Sequence, residues 1–198
     1  MRAELLIAFV LFLAGCNSTA EKAVPISLMN VEVKDTALHF INGKYFFHTS
    51  PLSGTITEHF ADGKISHTTS WLAGKEEGWE HIYFSDGKLS DERYYHNGEK
   101  DSTHAGWWQN GNKRFLYHFN NGMYNGAFSE WYEEGQTSKI IYYTNGNDDS
   151  GKAWRQNGKL YMNFVVKDGR RYGLNNSNLC YTLKNGKGEY AVSQSEKP

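Results

Sequence analysis

Apolar residues in this chain come in short bursts, separated by glycines at alternating intervals of 11 and 13 residues. Residues 78–101 show the pattern in full: GWEHIYFSDGKLSDERYYHNGEKD, two aromatic-bearing segments closed by Asp86-Gly87 and Asn97-Gly98. The segments are too short for packed helices. Their aromatic content and turn dipeptides predict strands of about five to seven residues joined as hairpins.

The design repeats. One set of turn glycines is Gly63, Gly87, Gly111, Gly135 and Gly158; a second is Gly74, Gly98, Gly122, Gly146 and Gly169. Both step by 24, 24, 24 and 23 residues. Asp or Asn precedes most of these glycines, which suits the positive φ angles of tight turns. Glu134 and Ala73 break that rule, so their turns are expected to differ in type. Such regularity predicts a repeat array of about five 24-residue units.

Aromatic residues fall into columns. Before the first-set glycines stand His59, Tyr83, Trp107, Trp131 and Trp154, followed directly by Phe60, Phe84, Trp108, Tyr132 and Arg155. Eight residues after them stand Trp71, Tyr95, Phe119, Tyr143 and Val166. An even period holds each column on one face, because strand side chains alternate with period two. Neighbours such as Trp107/Trp108 and Trp131/Tyr132 are then expected on opposite faces. The single 23-residue step is expected to be absorbed in a turn at residues 147–151. The fold expected is all-β: an elongated, single-layer antiparallel β-hairpin array, a meander about 50 Å long with strands about 4.8 Å apart, and not a closed barrel. Residues 38–47 and 179–188 read as half-unit caps, which solenoids need. Residues 189–198 read as a flexible tail.

These residues resemble the MORN repeat in its bacterial exported variant. The matching features are the aromatic pair before an Asp/Asn-Gly turn, Tyr94-Tyr95-His96-Asn97-Gly98, and the Gly-x-x-x-Gly pairs Gly74/Gly78, Gly122/Gly126 and Gly169/Gly173. Ser102 replaces the second glycine after Gly98. The opening Leu38-His39-Phe40-Ile41-Asn42-Gly43-Lys44-Tyr45-Phe46 with Leu52-Ser53-Gly54 also resembles the YwqK-type antitoxin group. The resemblance implies a MORN-like repeat domain over residues 37–188. It also implies scaffold, dimerisation or lipid-binding roles, or neutralisation of a toxin.

The first residues carry an address. Residues 5–14 are ten consecutive apolar residues, about 15 Å of helix and half a hydrocarbon core, which fits a signal-peptide h-region. Leu13-Ala14-Gly15-Cys16 resembles the bacterial lipobox, implying removal of residues 1–15 and acylation of Cys16. Asn17 beside the anchor implies delivery to the outer membrane of a Gram-negative bacterium, with the periplasmic or surface side left open. Residues 16–36 read as a lipidated tether. Cys180 is then a lone thiol in the mature chain, expected as a buried filler.

Composition narrows the chemistry. A formal charge of -1 removes the electrostatic footprint of a nucleic-acid binder, and Lys167, Arg170 and Arg171 read as a solvated turn. The eight histidines form no metal-ligand spacing, and no phosphate loop or nucleophile elbow is present. Acid pairs at Glu76/Glu77, Asp91/Glu92, Glu133/Glu134 and Asp148/Asp149 are the nearest approach to hydrolase chemistry. No catalytic residue, metal or cofactor is expected. The candidate ligand-binding residues are the aromatics Tyr83, Phe84, Tyr95, Trp107, Trp108, Phe119, Trp131, Tyr132, Tyr143 and Trp154. They serve an envelope protein partner or self-association, or alternatively stack on the sugars of peptidoglycan or a polysaccharide.

Overall fold

The computed structural model describes residues 28–174 with their side chains, together with the backbone of two short strands further on. The stretch expected as a signal peptide (residues 1–15), Cys16, Cys180 and residues 193–198 lie outside the described residues. The first strands are β1 (Met29–Glu32), β2 (Leu38–Ile41), β3 (Lys44–Phe47), β4 (Ser50–Pro51), β5 (Gly54–His59) and β6 (Ile65–Leu72). The central ones are β7 (Lys75–Tyr83), β8 (Leu89–His96), β9 (Glu99–Trp107), β10 (Lys113–Asn120), β11 (Met123–Tyr124) and β12 (Gly126–Trp131). The last are β13 (Thr137–Thr144), β14 (Asn147–Trp154), β15 (Leu160–Lys167), β16 (Arg170–Leu174), β17 (Tyr181–Leu183) and β18 (Tyr190–Val192).

The fold is an all-β hairpin array. β5 to β16 pair in chain order in one 13-stranded sheet, with β11 a short spur on β10. Every pair in that run is antiparallel, and β1 joins the first edge parallel to β5, with Val31 opposite Ile56. β1 falls inside the stretch expected as a tether. Val31 explains why, because it packs with Leu52 and Ile56 in a small buried cluster. β2, β3 and β4 form a separate three-stranded sheet, the N-terminal cap. That cap closes on the array through Tyr45, whose ring meets Trp71 edge-on at 4.7 Å and whose N–H donates to the Gly74 carbonyl. At the other end β17 pairs β18, so its second strand falls within the stretch expected as a flexible tail.

The two sets of turns differ in mechanism. In the second set both central residues have positive φ, as at Asn97 (53°) and Gly98 (85°). Ala73, at φ 49°, adopts the same left-handed conformation, so its turn does not differ in type. In the first set only the glycine is left-handed. The Asp or Asn instead caps the turn from its side chain, as when Asp62 accepts the Lys64 N–H at 3.1 Å. The Glu134 turn keeps the backbone pattern of its equivalents, with Gly135 N–H donating to the Tyr132 carbonyl. A left-handed alanine costs about 1 kcal/mol. Ala73→Gly is therefore expected to raise the melting temperature by about 2–4 °C, offset in part by the entropy glycine adds to the unfolded chain.

Repeat length and strand register are reconciled by bulges. Each first-set hairpin carries a one-residue irregularity, for example between Ile82 and Tyr83. In the β6–β7 and β8–β9 hairpins the register slips by two residues, near Gly78 and Ser102. In β13–β14 it slips by one, with Tyr142 opposite Ser150 and Tyr143 opposite Asp148. The 23-residue unit has thus lost its residue from a bulge within β14, and not from a turn. A bulge absorbs such a change because the residue it drops was never paired.

Candidate functional site

Cross-strand partners share a face, so the register sorts side chains into two sets. One face, called inner here, carries Ile56, Glu80, His104, Phe119 and Phe164, all buried. The other carries exposed Trp79, Tyr142, Val165 and Tyr172.

The inner face is aromatic through its third and fourth units. Phe115 stacks on Tyr117 (centroids 4.5 Å apart), and Tyr117 stacks on Phe128 (4.0 Å). The expected column Tyr95, Phe119 and Tyr143 does line up, but other rings complete it. His104 lies between Tyr95 (5.4 Å) and Phe119 (4.5 Å), and Tyr124 between Phe119 (4.6 Å) and Tyr143 (5.1 Å). Phe119 is buried, so it holds the sheet together and is not an open platform. Burial pulls the His104 imidazole below its ordinary pKa, and its Nε2–H donates to the Tyr94 carbonyl at 2.8 Å.

The second unit departs from this pattern. Positions that hold Ile56, His104, Phe128 and Gly151 in other units hold Glu80, and the column of His67, Phe115, Lys139 and Met162 holds Asp91. Arg93 stands where Tyr117, Ile141 and Phe164 stand elsewhere. The acids are buried, Glu80 to 8% exposure and Asp91 to 3%. Glu80 accepts from His67 (2.8 Å), Tyr95 Oη (3.2 Å) and Arg93 (3.4 Å). Asp91 accepts from Ser90 Oγ (2.7 Å) and Arg93 (3.0 Å), and Arg114 Nη2 reaches both its oxygens at 2.8 Å. Burial pushes the Glu80 carboxyl up, but His67, Arg93 and Tyr95 outweigh it and hold it below its ordinary value. Burial also raises the Tyr95 phenol, helped by Glu80 and Glu76, to about 12. These charges lie on one another, so the network ties β6, β7, β8 and β10 together.

Sequence inspection missed this network, although its signal is present. Written under one another, the five units put the Glu80 carboxylate and the Arg93 guanidinium in columns that hold no acid, lysine or arginine elsewhere. Three of the four acid pairs are expected in or beside turns, where solvation is the ordinary explanation. Glu77 does hold a turn, accepting the Asn97 N–H at 2.7 Å and facing His96 at 2.9 Å, but Asp91 is interior.

Glu76 is the acid beside this network with a shifted titration. Burial, then the Glu80 charge, raise its pKa to about 7. The folded chain holds that proton more tightly than the unfolded chain, whose value is 4.5. Between pH 4.5 and 7 the folded state therefore binds more protons, and stability falls as pH rises through that window. Glu76→Gln is expected to flatten this fall and to be the more stable form at pH 8, measured by urea denaturation across pH.

The remaining candidates cluster at the first-set turns. Trp108 Nε1 donates to the Trp131 carbonyl (3.1 Å) and Tyr132 Oη to the Trp154 carbonyl (2.9 Å), stitching successive turns. Trp131 and Tyr132 both border one cavity, Trp131 with the backbone carbonyl that Trp108 Nε1 meets. That cavity, about 430 Å³, is walled by Trp108, Phe115, Tyr117, Trp131 and Tyr132 with Arg114 and Glu130. Tyr83 lines an equivalent cavity beside Phe60, and Trp154 lines a third with Tyr142 on the outer side. Trp107 is half-buried at the end of β9, opposite Lys113, and Phe84 is half-buried where its N–H closes the turn onto Lys88. Among the described residues, the ion network of the second unit separates the cap from the aromatic third and fourth units. Arg171 is exposed but reaches Asp148 at 2.9 Å and lies over Phe164.

The class defined by this geometry is a hairpin-repeat array with an ionic second unit and inter-unit aromatic cavities. No protein-family model matches the chain, and no curated protein matches it. Among solved structures it is similar to a chain in the crystal structure of accessory secretory proteins 1, 2 and 3 of Streptococcus pneumoniae. That likeness has 14% identity and a TM-score of 0.17, covers 68% of this chain and 18% of the other, and carries no weight for function.

Proposed function

We propose that this chain is a lipid-anchored envelope protein of a Gram-negative bacterium whose sheet is a non-catalytic, MORN-type binding scaffold. Its partner is another envelope protein or a second copy of the chain. The observation that carries the reading is a row on the outer face that exposes two tyrosines and a valine around a part-buried serine. Tyr142, Ser150, Val165 and Tyr172 lie opposite one another across β13, β14, β15 and β16. Tyr142 and Tyr172 are half exposed and Val165 is 41% exposed. Exposed apolar area grouped in this way marks contact surfaces, and tyrosine is enriched among the residues that carry binding energy. The lipobox-like Leu13-Ala14-Gly15-Cys16 supports the anchor.

Pull-down from cross-linked envelopes tests the scaffold. Wild type is expected to retain a specific partner or its own untagged copy, and Tyr142→Ser with Tyr172→Ser to lose it. Equal retention by both would remove the outer face from the reading. Cys16→Ser is expected to release the chain from membranes. Continued tight association would defeat the anchor.

A further inference from the structure

We propose that the cavity between the third and fourth units binds an N-acetylated amino sugar of a glycan chain. The acetamido oxygen is received by the Arg114 guanidinium and the ring lies against the indole of Trp108. This binding is separate from the outer-face partner.

The array makes cavities at this position as a matter of geometry. Two units upstream, His59, Phe60, Ser66, His67 and Tyr83 border one of about 340 Å³, and Arg114 lies 48 residues beyond Ser66. What differs is the chemistry. The column occupied by Arg114 elsewhere holds Ser66, Ser90, Ser138 and Tyr161, so a cation stands here and in no other unit. It sits at the one-residue register shift between Lys113 and Phe115, where a bulge re-aims a side chain. Asp91 holds one end of the guanidinium, which lies 5.2 Å from the Phe115 ring centre and 5.9 Å from that of Trp108. Its Nε is buried without a hydrogen-bond partner, the only such side-chain atom among the described residues. An unpaired buried donor is costly, so a small turn of the guanidinium toward a ligand's carbonyl oxygen is favourable.

The other polar groups select against a strongly charged ligand. Glu130 faces the cavity with its charge already met by Lys139 at 2.8 Å and by the Tyr117 hydroxyl at 3.0 Å. Arg114 is likewise balanced by Asp91. A near-neutral site with one donor fork, one carboxylate acceptor, the Ser138 hydroxyl and aromatic walls matches a neutral sugar. Its hydroxyls donate to Glu130, its amide oxygen accepts from Arg114 and its C–H face covers an indole. A free peptide carboxylate would meet Glu130 unfavourably and leave the aromatic walls unused.

The test titrates the full chain with a β-1,4-linked N-acetylglucosamine tetramer and follows tryptophan fluorescence, with the corresponding glucose tetramer as control. The acetylated tetramer is expected to saturate and to bind at least about tenfold more tightly than the glucose tetramer. Trp108→Ala is expected to weaken it about tenfold or more. Arg114→Lys keeps a positive charge opposite Asp91 but lacks the planar fork, and is expected to abolish the preference while the melting profile stays cooperative. No saturable signal up to millimolar tetramer, equal affinity for both tetramers, or affinity unchanged in both variants would each overturn the proposal. Where the chain sediments with purified peptidoglycan and the acetylated tetramer displaces it, the source is the wall. Tetramer binding without sedimentation assigns a soluble or surface chain, and both results support the site. Tyr142→Ser with Tyr172→Ser is expected to leave tetramer binding intact, so failure here and failure of the scaffold reading are told apart.

Discussion

Asp91→Ala is expected to cost about 2–3 kcal/mol in chemical denaturation, because it leaves Arg114 without its counterion and Arg93 with only Glu80, both side chains being about one-third exposed. Asp91 is 3% exposed and receives Ser90, Arg93 and Arg114 together. Arg93 keeps Glu80 at 3.4 Å, whereas Arg114 loses its whole partner. The origin of the loss can be isolated. Arg93→Thr and Arg114→Ser introduce the residues that the first unit carries at those columns, Thr69 and Ser66. The triple variant with Asp91→Ala is expected to be more stable than Asp91→Ala alone, since the stranded cations are gone and Glu80 retains His67 and Tyr95. A triple variant that loses more than the single one would show that the network acts through packing and not through charge.

Gly54→Ala is the second large effect, expected at about 3 kcal/mol or more. Gly54 has φ 152°, and a Cβ there would stand 2.0 Å from the Met29 carbonyl oxygen, a backbone atom that cannot rotate away. Relief requires β1 to leave β5, which opens the Val31, Leu52 and Ile56 cluster. Contacts in a repeat array are mostly between neighbours, so the damage is expected to stay at the first edge. Hydrogen exchange should lose protection at β1 and β5 while β13–β15 remain protected. Gly87→Ala is the control: its Cβ meets open space, so it pays only the left-handed strain of about 1–2 kcal/mol. Equal losses at the two positions would show that strain alone, without the close approach of β1, sets the cost at Gly54.

Much of the fold was legible because hairpin turns announce themselves locally. Asn97-Gly98 or Asn121-Gly122 selects a left-handed two-residue turn whatever surrounds it, and a 24-residue period places those turns on one edge. The bulges were less legible. A residue such as Asp149 is unpaired only by reference to the strand opposite, and nothing within β14 marks it. The parallel docking of β1 escaped for a similar reason. Met29–Glu32 is a weak strand alone and is held by Leu52 and Ile56, more than twenty residues away.

The candidate site divides in the same way. Trp108 and Tyr132 were identifiable by their columns, but their meeting at one cavity depends on where β12 stops and the turn begins. Arg114 was not singled out, since its partner Asp91 lies 23 residues upstream and its unpaired Nε is a product of packing. By itself the sequence determined the all-β class, the number of units, the turn positions and the residues available to each column. Those depend on φ preferences and side-chain alternation, which act within a few residues. Only the tertiary structure decided which columns are buried, which charges pair and which rings face a cavity, because burial, Coulomb attraction and cavity shape arise between strands that the chain brings together from far apart.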